Sequence, residues 1–429
     1  HRLTVTDARL NVAHEGASMP RSDTRRDTTR DTTAIILAGA VVLGLGFGAR
    51  SIFGIVLDPM SSEYGWPREI FSLSLAIQNL VWGLAQPLFG AIADKYGTWR
   101  VLFLSAALYA AGLWIMALGT TPTWLHIGGG VLVGLAVAAG SFGIILSAFA
   151  RNVAPEKRSL VFGFGTAAGS AGMFVFAPIS QGLIDAFGWS DSLVYLGVAM
   201  LIVPVLAIPL RGNASSGTQS ASEYEQTVRE AQSEAFNRHS YVLLTAGFFV
   251  CGFQVAFITA HFPAYIGDIG LDAGYAVMAI ALIGFFNIIG SLASGIIGQK
   301  HSKPMMLVLL YVGRSIAITI FLLTPPTGAS VIVFSIVMGL LWLSTVPPTN
   351  GLVAIMFGTR HLGMLGGIVF LSHQVGSFLG VWLGGYLYDR LGSYDPVWWL
   401  GVALGLFAAI VHWPIQEKAV DRPVVAPAV

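Results

Sequence analysis

Gly90-Ala-Ile-Ala-Asp94-Lys95-Tyr-Gly97-Thr-Trp-Arg100 is a short charged island between two long apolar runs. Its start is echoed at Gly295-Ile-Ile-Gly-Gln299-Lys300, 205 residues on, and that echo also separates two apolar runs. A second pattern, Asp185-Ala-Phe-Gly188-Trp-Ser-Asp191, returns as Asp389-Arg-Leu-Gly392-Ser-Tyr-Asp395 at an offset of 204, and Gly172 maps on Gly376 at that same offset. Unrelated patterns that share one spacing describe a chain built twice in the same orientation.

The composition names the solvent around this repeat. The 429 residues are 55% hydrophobic and 10% charged, with a mean hydropathy of +0.73. Soluble domains carry roughly 25% charged residues, so a bilayer is expected to surround this chain. A helix needs about 20 apolar residues to cross ~30 Å of hydrocarbon. Twelve runs qualify, at roughly 34–57, 70–92, 101–119, 124–149, 159–184, 192–210, 241–266, 275–298, 304–323, 330–357, 362–387 and 397–415. Backbone groups in hydrocarbon must be satisfied within the segment, so these runs read as helices. The expected fold is all-α integral membrane, twelve transmembrane helices in two six-helix halves.

The boundaries that follow are a polar N-terminal tail 1–33, a first half 34–210, a Ser/Glu/Gln-rich linker 211–239, a second half 240–416 and a tail 417–429. The tail lacks the apolar core of a signal peptide. Met19 reads as the natural start, with residues 1–18 non-native. With the N-terminus inside, one face collects Arg25, Lys95, Arg100, Arg151, Lys157, Arg158, Arg211, Lys300, Lys303, Arg360 and Lys418, while the other keeps Arg68 and Arg390 and most of the acids. That asymmetry puts both termini in the cytoplasm and the chain in the inner, or plasma, membrane. The single cysteine, Cys251, excludes an internal disulfide.

The island Gly90–Arg100 resembles the cytoplasmic loop motif of the major facilitator superfamily, and the resemblance covers nearly all of 34–416. Within it the chain is similar to the branch holding monocarboxylate transporters and oxalate–formate antiporters, on three stretches. These are Arg50-Ser-Ile with Gly65-Trp66, where that branch has a lysine at the place of Arg50; Pro155-Glu156-Lys157-Arg158-Ser159; and Tyr386-Leu-Tyr-Asp389 with Gly392-Ser-Tyr-Asp395. The resemblance implies alternating access, with a site between the halves and span one on the path. The chain departs from the branch in its second half. Ser291 and Asn287 stand where a span-eight arginine and its acid are usual, and His373-Gln374 where the exchangers carry a lysine.

Two arginines, Arg50 and Arg314, lie deep in apolar runs without a carboxylate at comparable depth. A buried cation costs at least ~2.5 kcal/mol there and marks a functional site by default. Arg50 reads as a forked grip for a carboxylate, or else as a gate pairing with Asp58. Arg314, in a peripheral span, reads as packing or snorkelling. His261 and His373 are the protein-borne proton acceptors, or else hydrogen-bonding core histidines; a proton can also ride on a weakly acidic solute. Gln78, Asn79, Ser141, Gln254, Asn287, Asn350 and Gln374 either line the path or bond between helices. Trp342 and Phe257 supply shape.

Pro347-Pro348 must bend or break span ten, opposite Gly140 and Gly143 in span four. Interruptions at matching places point to the path; the bland reading is a kink for packing. Gly90, Asp94, Lys95, Gly97 and Arg100 form a gate rather than a solute site. Asp94, with Arg100 nearby, latches the first-half helices when the outer mouth is shut. The glycine runs at 44–48 and 163–172 read as close helix packing.

No phosphate loop, metal-ligand set or nucleophile–base pair is encoded, so neither an ATP motor, a metal, a cofactor nor an enzyme is expected. The expected function is a secondary active transporter of a small organic anion, with protons as the coupling ion, working as a monomer in the lipid bilayer with no nucleic-acid partner. An exporter of neutral or amphipathic solutes and a transport-inactive sensor are the alternatives.

Overall fold

The computed structural model describes residues 23–66, 68–211 and 226–420. Residues 1–22 with Met19, the first half of the linker (212–225) and residues 421–429 lie outside them. Eleven helical stretches among the described residues are long and apolar enough to cross a membrane. One of them, Pro155–Leu206, has 52 residues and would run about 78 Å if straight, far beyond a ~30 Å core. It folds back at Gly188, whose φ of 82° and ψ of 167° interrupt the helix Arg158–Met200. That φ suits a residue without a Cβ. Two spans are therefore joined there, and the total is twelve.

Span one is the helix Asp23–Tyr64, longer at both ends than its apolar run. Spans two and three are Arg68–Tyr96 and Thr98–Leu118. Span four is interrupted: Pro122–Leu125, a π-helical turn His126–Leu132, then Val133–Ala139 and Phe142–Asn152. Spans seven, eight and nine are His239–Asp268, Ala273–Ile297 and Lys303–Leu323. Span ten is broken into Gly328–Leu341 and Val346–Phe357. Spans eleven and twelve are Leu362–Leu391 and Asp395–His412. A capping box of Thr227 and Glu230 starts the short helix Val228–Asn237 ahead of span seven.

The break in span ten precedes the proline pair. Pro347 and Pro348 occupy the first turn of Val346–Phe357, where a missing N–H costs little. The break in span four, at Gly140 and Ser141, stands 204 residues before Ser344 and Thr345. Both halves thus interrupt the same helix at the same height.

The halves meet through spans two and eleven and through spans five and eight. At both seams glycines allow backbone contact. A Cβ on Gly163 would lie 2.7 Å from the Cα of Gly295, and one on Gly90 would run into the Gly363 backbone. These contacts lie toward the face that carries Lys95, Arg100 and Arg151, called the basic face below. Toward the opposite, acidic face the helices separate. Span five is buried or half-buried throughout 159–172, whereas Met173, Phe174, Val175, Pro178, Ile179 and Gln181 are exposed. Span eleven follows suit, with Phe378, Val381, Trp382 and Tyr386 exposed. Among the described residues, the bonds and ring contacts across the halves all lie between the level of Asn79 and Phe285 and the basic face. The molecule is closed at the basic face and open at the acidic one.

Candidate functional site at the meeting of the halves

Arg50 lies where the two conditions change over. Its side chain is half-buried. Nε donates to Gln78 Oε1 at 2.9 Å and Nη2 to Asn79 Oδ1 at 2.7 Å, and the guanidinium lies 5.0 Å over the Trp82 ring. Gln78 and Asn79 are neighbours on span two, with Trp82 a turn further along. One helix therefore offers two amide oxygens and an aromatic face to the planar fork. Gln78 is wholly buried and is held from behind, its Nε2 donating to Gly129 O at 2.8 Å in the π-helical turn of span four.

Among the described residues, no carboxylate bonds to Arg50. Amide oxygens satisfy N–H groups without cancelling the guanidinium charge; the side chain of Asp58, the expected gate partner, lies outside the described residues. The Nη1 group makes no bond to a described residue, which leaves N–H groups for a further acceptor.

The polar contacts continue into the second half. The backbone oxygen of Asn79 accepts from Gln374 Nε2 at 3.2 Å, and Gln374 Oε1 lies 3.3 Å from His373 Nδ1. Ser377 Oγ donates to His373 O at 3.0 Å. Arg50, Gln78, Asn79, Gln374 and His373 thus form one connected group across spans one, two and eleven. Toward the basic face an aromatic layer closes beneath it. Trp82 meets Phe370 at 4.7 Å across the halves, and Phe47 stacks on Phe142 at 4.2 Å. Phe370 also stacks on His373 at 5.1 Å.

Asn287 forms a second junction. Its Nδ2 donates to Ser170 Oγ of span five at 2.8 Å, while Oδ1 accepts from Leu343 N at 3.0 Å and from Ser291 Oγ at 3.2 Å. It therefore ties the break of span ten to the first half. Ser141, at the break of span four, and Thr349, beyond that of span ten, are buried with hydroxyls lacking a described partner.

The remaining candidates are not joined to Arg50. Gln254 is used up by Gly401 O, at 2.9 Å, and by Arg314. Asn350 donates to Val346 O within its own helix, at 3.0 Å. His261 bonds to Val381 O at 2.9 Å on the acidic half and packs beside Phe257 and Tyr394. Trp342 lies in the break of span ten, where its carbonyl accepts from Arg314.

Arg314 itself is fully buried. It donates to Leu341 O through Nη2 at 2.7 Å and Nε at 3.1 Å, to Trp342 O, and to Gln254 Oε1 at 3.3 Å. Helix Gly328–Leu341 ends inside the protein with orphan carbonyls and a negative dipole end, and Arg314 supplies both the donors and the charge. It is packed inside the second half rather than snorkelling.

Asp94, the expected gate residue, differs from its sequence reading in its partner. Asp94 pairs with Arg151 of span four, at 3.2 Å, and both are buried. It also accepts from Met364 N at 3.0 Å, at the first turn of span eleven. Arg100, the expected neighbour, turns away to Tyr96 O at 2.8 Å, and Lys95 lies over the Tyr96 ring at 5.1 Å. Gly97, with φ 99°, makes the turn between spans two and three. The carboxylate thus bridges the two halves while the basic face is closed and the acidic face open. Arg151, Trp82 and Phe370 escaped the sequence reading. Their only signals were a basic residue at a helix end and aromatics in apolar runs, both common in any membrane helix.

The model of the Major Facilitator Superfamily matches residues 39–372. The chain belongs to the major facilitator superfamily. The MFS-type transporter YcxA of Bacillus subtilis (strain 168) is 25% identical over 395 residues, covering 89% of this chain and 95% of that one. Monocarboxylate transporter 13 of Rattus norvegicus is 23% identical over 372 residues, with 84% and 83% covered. Monocarboxylate transporter 11 of Mus musculus is 24% identical over 376 residues, with 84% and 82% covered. Among solved structures, the Escherichia coli fucose:proton symporter FucP superposes with a TM-score of 0.68 at 14% identity, covering 88% of this chain and 98% of that one. The proton:xylose symporter XylE gives 0.72 at 13%, with 91% and 98% covered. The fold is that of these transporters, and this superfamily member is a multi-pass membrane transporter, not an enzyme.

Proposed function

We propose that this superfamily member is a secondary active transporter that carries a small organic anion, a carboxylate, by alternating access, with Arg50 as its anion-binding group. The observation that carries the reading is the state of that guanidinium. It is half-buried where the cleft ends, it is steered by two neutral amides, and no described carboxylate bonds to it. A preorganised fork with unused N–H groups suits a planar carboxylate, and supplying the missing charge is what a solute can do that the amides cannot. The sequence relatives named monocarboxylate transporters support the same class.

In the mechanism proposed, the solute enters from the acidic face, which is the outside, and seats on Arg50 above the Trp82–Phe370 layer. The contacts at Gly90–Gly363, Gly163–Gly295 and Asp94–Met364 then part, and the solute leaves to the cytoplasm. A proton accompanies it, on His373 beside Gln374 or on the solute itself. The protein works as a monomer in the inner membrane with both termini cytoplasmic.

The test is uptake of radiolabelled short-chain carboxylates into proteoliposomes, with and without a proton gradient. Arg50→Gln is expected to abolish uptake while melting temperature in detergent stays near that of the parent, and Arg50→Lys to retain a fraction of it. Uptake by the parent that is unaffected by Arg50→Gln, or that occurs only with neutral solutes, refutes the proposal.

A further inference from the structure

The outer side of spans nine and ten carries a groove with no part in the site above. Its volume is about 490 Å³. It runs from Gly313 to Thr324 on span nine and from Thr327 to Val337 on span ten. At 1.5 Å per residue these stretches cover about 16 and 15 Å, which is half of a ~30 Å hydrocarbon core. The groove is one leaflet deep, opening beside the loop at the acidic face and ending at mid-membrane.

Its walls are Ile316 and Ile320 on one side and Val333 and Val337 on the other, all exposed. Its floor is the stacked pair Phe321 and Phe334, 4.4 Å apart. The inner end is left free by Gly313, which has no side chain and beyond which Leu341 stands. The outer end carries the hydroxyls of Thr324, Thr327 and Ser330, and no lining residue is charged.

We propose that this groove holds one acyl chain of a lipid from the leaflet on the acidic face. At this depth the surroundings are hydrocarbon, so a chain gains nothing by leaving water and is retained only for its packing. A concave slot with the length of one leaflet contacts a chain on several sides, where a convex helix crest contacts it on one. The absent charge makes the seat one for the chain and not for a particular headgroup. Thr324 and Ser330 donate their hydroxyls to backbone oxygens of their own helix and turn, which leaves the Thr327 hydroxyl at headgroup height for a glycerolipid acceptor.

The experiment uses the full chain in nanodiscs of phosphatidylcholine doped with a phosphatidylcholine analogue that carries a diazirine at the end of one acyl chain. After irradiation, adducts are mapped by peptide mass spectrometry. Adducts within 313–317 and 333–337 are expected several-fold above those at Leu80 and Leu84, which are comparably exposed crests of span two. Gly313→Leu and Val337→Phe, which fill the slot from either side, are each expected to reduce them to the crest level, and so the second carries the test if the first does not fold. Replacing the analogue by its phosphatidylglycerol counterpart is expected to leave the pattern unchanged. Adduct yields equal to those at Leu80 and Leu84 in the parent protein overturn the proposal. A clear dependence on headgroup overturns it too, as does finding the groove protected by a second copy of the chain.

Discussion

Removing the Asp94 carboxylate is expected to release the closed face. In the closed structure Asp94 holds Arg151 at 3.2 Å and the Met364 amide at 3.0 Å. Asp94→Ala strands Arg151, a buried charge, and stranding one partner of a buried pair costs about 3–5 kcal/mol. Two routes relieve that cost. The protein can lose stability outright, or it can move to the state in which the basic face opens and Arg151 meets water. The second route also forfeits the bond to Met364, and a hydrogen bond to a charged group is worth roughly 1.5–3 kcal/mol. Loss of that bond alone shifts the equilibrium between states by roughly 10- to 150-fold toward the open basic face. The assay is hydrogen–deuterium exchange at the amides of 363–367, which are sealed against span two in the closed state, run beside melting temperature. Exchange there should accelerate in Asp94→Ala. It should accelerate again in Arg151→Ala, which frees Asp94 from its cation. The double variant should recover part of the lost stability, because no charge is left unpaired. Arg100→Ala should do nothing measurable. Equal effects of Arg100→Ala and Arg151→Ala, or unchanged exchange in Asp94→Ala, would refute the assignment of the latch.

Further outcomes follow from other contacts. Arg314→Met leaves the carbonyls of Leu341 and Trp342 without donors, at about 1–3 kcal/mol for each buried group; melting temperature should fall markedly, and Arg314→Lys should not restore it, since a single ammonium cannot reach both carbonyls and Gln254 as the planar fork does. Gly163→Val puts side-chain atoms where the Gly295 Cα lies, 2.7 Å from an ideal Cβ; a backbone cannot yield as a side chain can, so the basic face should be held apart, with uptake falling to background and detergent melting temperature nearly unchanged.

The fold was legible in the chain because hydrocarbon imposes a length and a periodicity that sequence displays directly. Apolar runs of the right length, a charge asymmetry and two patterns recurring at one offset sufficed for twelve spans in two halves. The break in span ten was announced by Pro347-Pro348, although its position, ahead of the prolines and capped by Arg314, was not. Arg50 stood out because a cation in an apolar run is rare whatever surrounds it. Its partners did not, since Gln78 and Asn79 look no different in sequence from Gln254 and Asn350, which turn inward to other duties. The pairing of Asp94 with Arg151 rather than Arg100 depends on how span four packs against span two, fifty-seven residues away along the chain. Likewise only the packed halves decide that the basic face is closed and the acidic face open. Sequence determines what each helix must hide from lipid; which buried polar groups then find one another is set by helix rotation and seam contact, and those are properties of the assembled bundle.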